Sequence, residues 1–325
     1  MSDFSQQTKG REPPPLEYVT LGKDGPKVSR IGAGIWQEWL SNVGIEQRIS
    51  VIRRLVNRGV NFFDTAESYS NGADEFVLGR AIREVGREKL HIATKVSGYR
   101  LRFHELQKSC EASLSRLGVK EIDLYPIHYP DPFEQIPLKE TFKAMEKLYD
   151  SGKIRAIGVC NFAVRDLEEA ASCLSRADIA SNQVRYNLLQ RDVEQEVVPY
   201  CLRNKVSIVA WSPLAQGLLT GKYLRVSSGP VDQMRKKEPL FQTHNLKEIR
   251  RILHVLKQVA ERHNRSISQV ALNWLLRTND IVPIPSARDV NQAEENVGAI
   301  NFRLTEKDIS DIDGAYKNMK IEYFP

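Results

Sequence analysis

The sequence predicts a (β/α)₈ barrel, because eight short apolar segments alternate with longer amphipathic segments along most of the 325 residues. The short segments are rich in β-branched residues and do not strictly alternate apolar with polar positions, as is typical of parallel strands buried on both faces. The longer segments repeat their apolar residues at helical spacing, so that a helix would join each strand to the next. An open doubly wound sheet is the second architecture that fits this pattern.

The predicted strands and helices occupy defined segments. The strands are residues 28–35, 60–66, 90–96, 122–129, 154–162, 180–186, 206–214 and 281–287. The helical segments include residues 45–59, 138–152, 245–264 and 266–279. Residues 215–245 interrupt the alternation after the seventh strand, and a break of that length predicts extra helices or a long functional loop.

The N-terminal region differs in composition from the rest of the chain. Residues 1–16 are polar and rich in proline, which predicts a flexible leader. The next segment places Asp24 and Gly25 between two short apolar runs, a pattern that predicts a β-hairpin. We expect residues 1–325 to form one barrel domain, because α/β barrels often exceed about 250 residues as a single unit.

Charge and composition exclude several classes of function. The net charge is +6, but basic residues are spread along the chain and the densest cluster is Arg235–Lys237. A nucleic-acid-binding protein would concentrate this charge on one face, so we expect no nucleic-acid partner and a preference for anionic small molecules. No segment approaches the roughly 18 apolar residues of a membrane span, and the N-terminus lacks an apolar signal core. The four cysteines show no C-x-x-C spacing, so the sequence predicts reduced thiols in a cytoplasmic protein without a membrane partner.

Two glycines near the N-terminus are not a Rossmann motif. Gly32 and Gly34 match the start of G-x-G-x-x-G, but Gln37 stands at the third glycine position and no acidic residue is suitably placed about 20 residues later. We expect these glycines to let the backbone approach a ligand at the end of the first strand.

Polar residues stand at the carboxyl ends of several predicted strands. They are Asp64, Lys95, His128 and Asn161, and Tyr69 follows Asp64 by five positions in a turn-rich loop. Each alone is as readily explained by capping, snorkelling or core packing. Because the carboxyl ends of barrel strands meet at one rim, which is the catalytic face of such barrels, their coincidence predicts an active site there.

Six motifs in order resemble the aldo-keto reductase superfamily from about residue 17 to about residue 315. They are DTAESYSNGADEFVLGRAI, IATKV, DLYPIHYPDP, GKIRAIGVCNF, AWSPLAQGLLTGKY and IPSARDVNQAEENVGA. The resemblance implies a TIM-barrel fold, an NADPH cofactor and reduction of aldehydes and ketones to alcohols. It also implies a catalytic tetrad, which consists of Asp64, Tyr69, Lys95 and His128.

Elementary chemistry supports these four roles. A free tyrosine has a pKa of about 10, and a nearby ammonium can lower the pKa of an acid by roughly 1–3 units. We therefore expect Lys95, held by Asp64, to make the proton of Tyr69 available near neutral pH. Hydride would pass from the nicotinamide to the carbonyl carbon while Tyr69 protonates the oxygen and His128 orients the carbonyl.

The resemblance also assigns the cofactor contacts. Arg288 favours NADPH over NADH, because a guanidinium can bind the 2′-phosphate bidentately. The remaining residues implied are Asn161 and Gln183 for the carboxamide, Trp211 for the nicotinamide ring, Ser212, Leu214, Gly217 and Lys222 for the pyrophosphate, Ser286 and Gln292 for the 2′-phosphate, and Glu295 and Asn296 for the adenine.

One position departs from the family pattern, since Cys160 precedes Asn161 where serine is usual. A thiol is a weaker hydrogen-bond partner than a hydroxyl, so one carboxamide contact would be softer; a buried, inert cysteine is the alternative interpretation. Trp36 and Tyr129 are the candidates for substrate contact. Other aromatic residues expected near the same rim are Tyr99, Tyr316, Tyr323 and Phe324.

Two other functions remain open from the sequence. A non-catalytic NADPH-binding regulator of the same fold could carry the same four residues. A metal-dependent hydrolase is disfavoured, because the six histidines are scattered and none pairs at ligand spacing. The physiological carbonyl, the preferred direction and the oligomeric state have no sequence pattern that assigns them.

Overall fold

A computed structural model describes residues 16–36, 43–224 and 233–321. A short antiparallel hairpin comes first, formed by β1 (Tyr18–Thr20) and β2 (Lys27–Ser29). The eight strands that follow pair in parallel. They are β3 (Ala33–Gly34), β4 (Phe62–Asp64), β5 (His91–Ala93), β6 (Tyr125–Ile127), β7 (Ile157–Cys160), β8 (Ile179–Arg185), β9 (Ser207–Trp211) and β10 (Ile281–Pro283).

Backbone hydrogen bonds close these strands into a barrel. Pairing runs in order from β3 to β5 and from β6 to β10. A parallel bridge between Ala93 and Leu124 joins the two groups. On the other side, the Gly32 amide donates to the Pro283 carbonyl at 2.9 Å, which connects the segment entering β3 with β10. The closed barrel is thus confirmed, and the open doubly wound sheet is wrong.

Helices surround the barrel and connect its strands. They are α1 (Ile45–Asn57), α2 (Ala73–Val85), α3 (Phe103–Leu117), α4 (Leu138–Asp150), α5 (Val164–Cys173), α6 (Val197–Arg203), α7 (Gln233–Lys237), α8 (Thr243–His263), α9 (Ile267–Leu275), α10 (Val290–Val297) and α11 (Glu306–Lys317). Within the described ranges, no helix is long and apolar enough to cross a membrane.

Most predicted strands extend beyond the paired residues, and two further predicted segments differ from the structure for a local reason. The segment 28–35 was expected to be one strand, but β2 ends at Ser29 and β3 begins at Ala33. Between them Gly32 passes so close to Phe62 that a β-carbon there would lie 2.7 Å from its ring, so the chain turns from hairpin to barrel at this residue. The predicted helix 266–279 ends instead at Leu275, because the following residues turn into β10.

The region after the seventh barrel strand contains the predicted extra structure. Two 3₁₀ turns, Ala215–Thr220 and Lys222–Leu224, follow β9 directly. The short α7 and a further 3₁₀ turn, Pro239–Phe241, precede the long α8. Residues 225–232 and residues 1–15, most of the predicted leader, lie outside the described part of the chain.

The hairpin closes the amino-terminal end of the barrel. Leu21 and Val28 are fully buried and join the cluster of side chains inside the barrel. Gly22 adopts a φ of +65°, and a β-carbon there would lie 2.7 Å from Cα of Ala180, so the turn fits closely only without a side chain. The barrel residues of this interior cluster are Phe62, Ala93, Leu124, Ala156, Ala180, Val209, Val282 and Ile284.

We predict that Leu21→Ala lowers the free energy of unfolding by about 2–5 kcal/mol, because it opens a cavity between hairpin and barrel. Urea unfolding followed by circular dichroism measures this change. The matched control is Lys23→Ala, because Lys23 is on the same turn and its side chain makes only an exposed ion pair with Asp178. This variant is expected to lower the free energy of unfolding by less than about 1 kcal/mol. Equal losses for the two variants would contradict the packing role of the hairpin.

Candidate active site

Strand ends bring most of the predicted residues to one rim. Asp64 is the last residue of β4, and Trp211 is the last residue of β9. Lys95, His128 and Asn161 each follow the end of a strand by one or two residues. Parallel pairing puts all these ends on the same side of the barrel, opposite the hairpin. The barrel therefore gathers side chains that are far apart in the sequence.

A buried ion pair lies inside this rim. Nζ of Lys95 donates to Oδ2 of Asp64 at 2.6 Å and to the carbonyl oxygen of Thr65 at 2.6 Å. Gln183 Nε2 donates to the other carboxylate oxygen at 2.7 Å. The carboxylate holds the pKa of Lys95 above its usual value despite burial, so the lysine stays charged.

Tyr69 lies against this ion pair. Nζ of Lys95 is 4.9 Å from the centre of the Tyr69 ring. The side chain keeps a partly exposed edge, but burial raises its pKa to about 12, and the attraction of Lys95 offsets only part of that rise. The expectation of a net fall in the tyrosine pKa is therefore wrong, because desolvation of the phenolate outweighs the lysine charge.

The loop after Tyr69 is held in an uncommon backbone conformation. Ser70 and Asn71 have φ values of 48° and 53°, and Gly72 follows at 85° before α2 begins. Left-handed non-glycine residues cost roughly 1–2 kcal/mol each and concentrate at functional sites. These strained residues directly follow Tyr69, which begins the turn.

His128 completes the cluster. Its ring meets the Tyr69 ring edge-on at 5.4 Å, and Nδ1 lies 3.2 Å from Oγ of Ser68. Burial and the nearby Lys95 charge lower the pKa of His128 to about 3, so the imidazole is neutral at physiological pH. Tyr129 stacks on the outer side of His128 at 5.0 Å.

The predicted substrate residues flank this cluster. The Trp36 ring lies 6.0 Å from the Tyr69 ring. Tyr129 is 48% exposed, so it offers most of one face to a ligand at the rim. The rings of Trp36, Tyr69, His128 and Tyr129 together form an aromatic wall. We call the entrance that this wall surrounds the mouth of the barrel.

Asn161 and Trp211 contact each other beside the mouth. Nε1 of Trp211 donates to Oδ1 of Asn161 at 3.1 Å. Asn161 and Ser212 both have left-handed φ values, 60° and 49°. The preceding Cys160 is 1% exposed, and burial raises its thiol pKa, so the structure favours the buried, inert interpretation of this cysteine.

A second group of predicted residues lies in the 3₁₀ turns after β9. Leu214 is partly buried, and Gly217 has a φ of 94°. A β-carbon on Gly217 would lie 3.2 Å from Nζ of Lys222, so the lysine ammonium passes close over this glycine. Directly before Gly217, Oε1 of Gln216 is buried and finds no hydrogen-bond partner among the described residues. These turns combine a positive charge, an open backbone and an unsatisfied polar atom.

The third group surrounds the N-terminus of α10. Ser286 and Arg288 are exposed, and the Arg288 amide donates to Oε1 of Gln292 at 3.0 Å. Asn296 is buried and donates to the Ser286 carbonyl at 3.3 Å. The Glu295 carboxylate instead accepts from Ser268 on α9. Glu295 and Asn296 thus use their side chains within the protein.

The other rim aromatics separate into three cases. Tyr99 is 69% exposed and pairs with Phe133 at 5.9 Å on the neighbouring loop. Tyr316 packs on the guanidinium of Arg191 at 4.5 Å. Tyr323 and Phe324 lie outside the described residues.

Three residues of the cluster were not predicted from the sequence. Thr65 contributes only its carbonyl, which no side-chain pattern indicates. Ser68 is one of several hydroxyl residues in a turn-rich loop. The guanidinium carbon of Arg185 lies 4.5 Å from the centre of the Trp211 ring. Arg185 is two residues after Gln183 on the same strand, and this even spacing is a signal that could have placed it on the inner face.

Comparison with known proteins agrees with this geometry. A sequence model described as the aldo/keto reductase family matches residues 30–317. The chain belongs to this family. It is accordingly an oxidoreductase that acts on carbonyl or alcohol groups, and its barrel is the fold of aldo/keto reductases. Within the described ranges, no three His, Cys, Asp or Glu residues are grouped to hold a metal ion.

Several relatives of this aldo/keto reductase are similar over nearly their whole length. A probable aldo-keto reductase of Glycine max is 32% identical over 91% of this chain and 88% of its own. The structure of a Klebsiella pneumoniae aldo-keto reductase in complex with NADPH is 27% identical, with a TM-score of 0.74 over 93% of this chain and 95% of its own. The glycerol dehydrogenase of Gluconobacter oxydans is 28% identical, with a TM-score of 0.84 over 93% and 95%.

We predict that Asp64→Asn lowers the free energy of unfolding by about 3–5 kcal/mol, because it leaves the Lys95 charge buried without its anion. The double variant Asp64→Asn/Lys95→Met should recover most of this loss, since no buried charge remains. Urea unfolding of the single and double variants measures the difference. Asp150→Asn, which removes an exposed pair with Arg176, is the control and should cost less than about 1 kcal/mol. An additive loss in the double variant would contradict the coupling.

Proposed function

We propose that this protein reduces aldehydes and ketones to alcohols with NADPH, and that Tyr69 donates the proton. The observation that carries the proposal is the buried Lys95–Asp64 pair, with its ammonium 4.9 Å from the centre of the Tyr69 ring at the mouth of the barrel. A charged pair in a barrel interior is costly, so its position beside a partly exposed tyrosine supports a catalytic role.

The residues along the rim fit a nicotinamide dinucleotide. Asn161 and Gln183 would hold the carboxamide, and the indole of Trp211 would pack against the nicotinamide ring. Ser212, Leu214, Gly217 and Lys222 would contact the pyrophosphate, where the unsatisfied Oε1 of Gln216 indicates room for a polar ligand. Arg288, Ser286 and Gln292 would bind the 2′-phosphate near the N-terminus of α10, with Glu295 and Asn296 on the adenine side. A related Klebsiella pneumoniae enzyme binds NADPH, which supports this assignment.

The proton step follows from the raised pKa of Tyr69. Bound NADPH supplies the hydride. With a pKa of about 12, Tyr69 is fully protonated at neutral pH and can donate to the carbonyl oxygen as negative charge develops there. Lys95 lies close enough to stabilise the tyrosinate that results, and Asp64 keeps the lysine charged. The ion pair thus lowers the free energy of the tyrosinate that forms when Tyr69 donates its proton. Before the reaction Tyr69 nevertheless stays protonated.

His128 is suited to orient the carbonyl as a neutral hydrogen-bond donor. Its pKa of about 3 keeps it uncharged. If the Ser68 hydroxyl donates to Nδ1, the hydrogen is placed on Nε2, which can donate to the substrate oxygen. Trp36 and Tyr129 supply apolar walls on either side of the Tyr69–His128 pair.

We predict that Tyr69→Phe lowers kcat for aldehyde reduction by about 100-fold or more while the Kd for NADPH changes little, because only the proton donor is removed. Steady-state absorbance of NADPH measures turnover, and quenching of tryptophan fluorescence measures binding. In the unaltered enzyme, kcat for reduction should be flat from about pH 5 to about pH 9, since neither Tyr69 nor His128 titrates in that range. Alcohol oxidation needs the tyrosinate, so its rate should rise with pH over the same range.

Phe133→Ala is the control for Tyr69→Phe, because it removes an exposed ring from the outer rim. Near-normal turnover in Tyr69→Phe would show that the tyrosine is misassigned. Binding of NADPH without turnover of any aldehyde by the unaltered protein would instead favour a non-catalytic, cofactor-binding regulator.

We predict that Arg288→Ala raises the Kd for NADPH by about 10- to 100-fold and leaves the Kd for NADH within about threefold, because only NADPH carries the 2′-phosphate. Fluorescence titration with both cofactors measures the two constants. Arg53→Ala, an exposed arginine on α1, should alter neither. An equal loss of affinity for NADPH and NADH would show that Arg288 does not contact the 2′-phosphate.

A further inference from the structure

Strand geometry places Arg185 in the mouth of the barrel. Along β8, side chains alternate between the interior and the surrounding helices. Gln183 points inward, because it reaches the carboxylate of Asp64. Arg185 is two residues further on, so it leaves the strand on the same face and about 7 Å nearer the rim. It therefore lies one layer above the buried ion pair.

Contacts with neighbouring rings agree with this position. Arg185 pairs in register with Trp211 of β9, and its guanidinium carbon lies 4.5 Å from the centre of the Trp211 ring. Burial raises the pKa of Tyr129, and the charge of Arg185 partly opposes that rise. Tyr129 in turn stacks on His128. Arg185 thus lies against Trp211, which is proposed to pack against the nicotinamide ring, at the rim where Tyr129 and His128 also lie.

The positive charge of Arg185 is only weakly compensated. Among the described residues its nearest acidic neighbour is Glu238, whose closest oxygen lies 4.0 Å from Nη1, and both side chains are about one-third exposed. No hydrogen bond from the guanidinium is found within the described ranges. Lys95 differs, because its Nζ donates two hydrogen bonds of 2.6 Å to Asp64 and to the Thr65 carbonyl. The donors of Arg185 are therefore available to a ligand, whereas those of Lys95 are not.

We propose that Arg185 binds a carboxylate on the substrate, so that the preferred substrates are aldehydes or ketones that also carry an acid group. This inference rests on the proposed function. An arginine fork binds a carboxylate through two parallel hydrogen bonds, and the aromatic surroundings strengthen them by excluding water. The carbonyl of such a substrate would face Tyr69 and His128, while its carboxylate would point outward to the rim.

Paired substrates of nearly equal shape test this proposal. The enzyme is assayed with 4-carboxybenzaldehyde and with methyl 4-formylbenzoate, which differ in charge but not in the reacting aldehyde. We expect kcat/KM to be higher for the acid. In Arg185→Met, which keeps the apolar stem, the acid-to-ester ratio of kcat/KM should fall by about 10- to 100-fold, mainly through KM for the acid. Arg185→Lys should give an intermediate ratio, because charge remains but the fork is lost.

Two further variants make the result specific. Glu238→Gln removes the competing negative charge and should raise the acid-to-ester ratio, opposite to Arg185→Met. Arg203→Met, an exposed arginine at the end of α6, should leave the ratio unchanged. An unchanged ratio in Arg185→Met would overturn the proposal. Equal losses for both substrates together with weaker NADPH binding would also overturn it and assign Arg185 to the cofactor. If the unaltered protein turns over neither these two aldehydes nor any of a wider panel of aldehydes and ketones, the proposed function is refuted instead.

Discussion

The buried ion pair between Lys95 and Asp64 is the interaction on which the rest of the site depends. Removing two charges from water costs several kcal/mol per ion, and only close contacts in good geometry offset that cost. Gln183 and the carbonyl of Thr65 supply the additional hydrogen bonds. Because these groups come from β4, β5 and β8, the pair exists only when the barrel is closed. A cation is thereby fixed against the ring of Tyr69, where a flexible loop could not hold it.

Barrel topology separates the requirements of stability from those of chemistry. At the amino-terminal end, Leu21 and Val28 cover the interior with apolar side chains, and Gly22 allows the turn to approach Ala180 closely. At the opposite end the strands stop while their side chains still point inward, and the polar residues are found there. Backbone strain is also found at this end, as at Asn161. A packed base thus supports a rim that can hold strained and charged residues.

The sequence predicts the barrel well because the same pattern, a short apolar segment followed by an amphipathic one, occurs repeatedly along the chain. An error in one segment therefore does not change the predicted architecture. Asp64 and His128 could be predicted at the rim because polar residues end several different apolar strands, whereas either residue alone would be explained equally well by capping or packing. The pKa of Tyr69 could not be predicted, since it depends on how completely the fold removes water from the ring. Strand limits were overestimated for a related reason. Some residues just beyond the paired strands, such as Ala66 and Phe162, are as apolar as the strands themselves, so only hydrogen bonding shows where pairing ends.

Two charges inside one barrel illustrate how depth decides function. Lys95 lies deep, where an unpaired charge would be unfavourable by several kcal/mol, so its donors are committed to the protein. Arg185 lies at the mouth, where solvent reaches it and a carboxylate at 4.0 Å suffices. A substrate that enters the mouth excludes this solvent, so the attraction between Arg185 and an anionic group increases as the ligand binds. Of these two charges, Arg185 is therefore the one that we propose selects among carbonyl substrates.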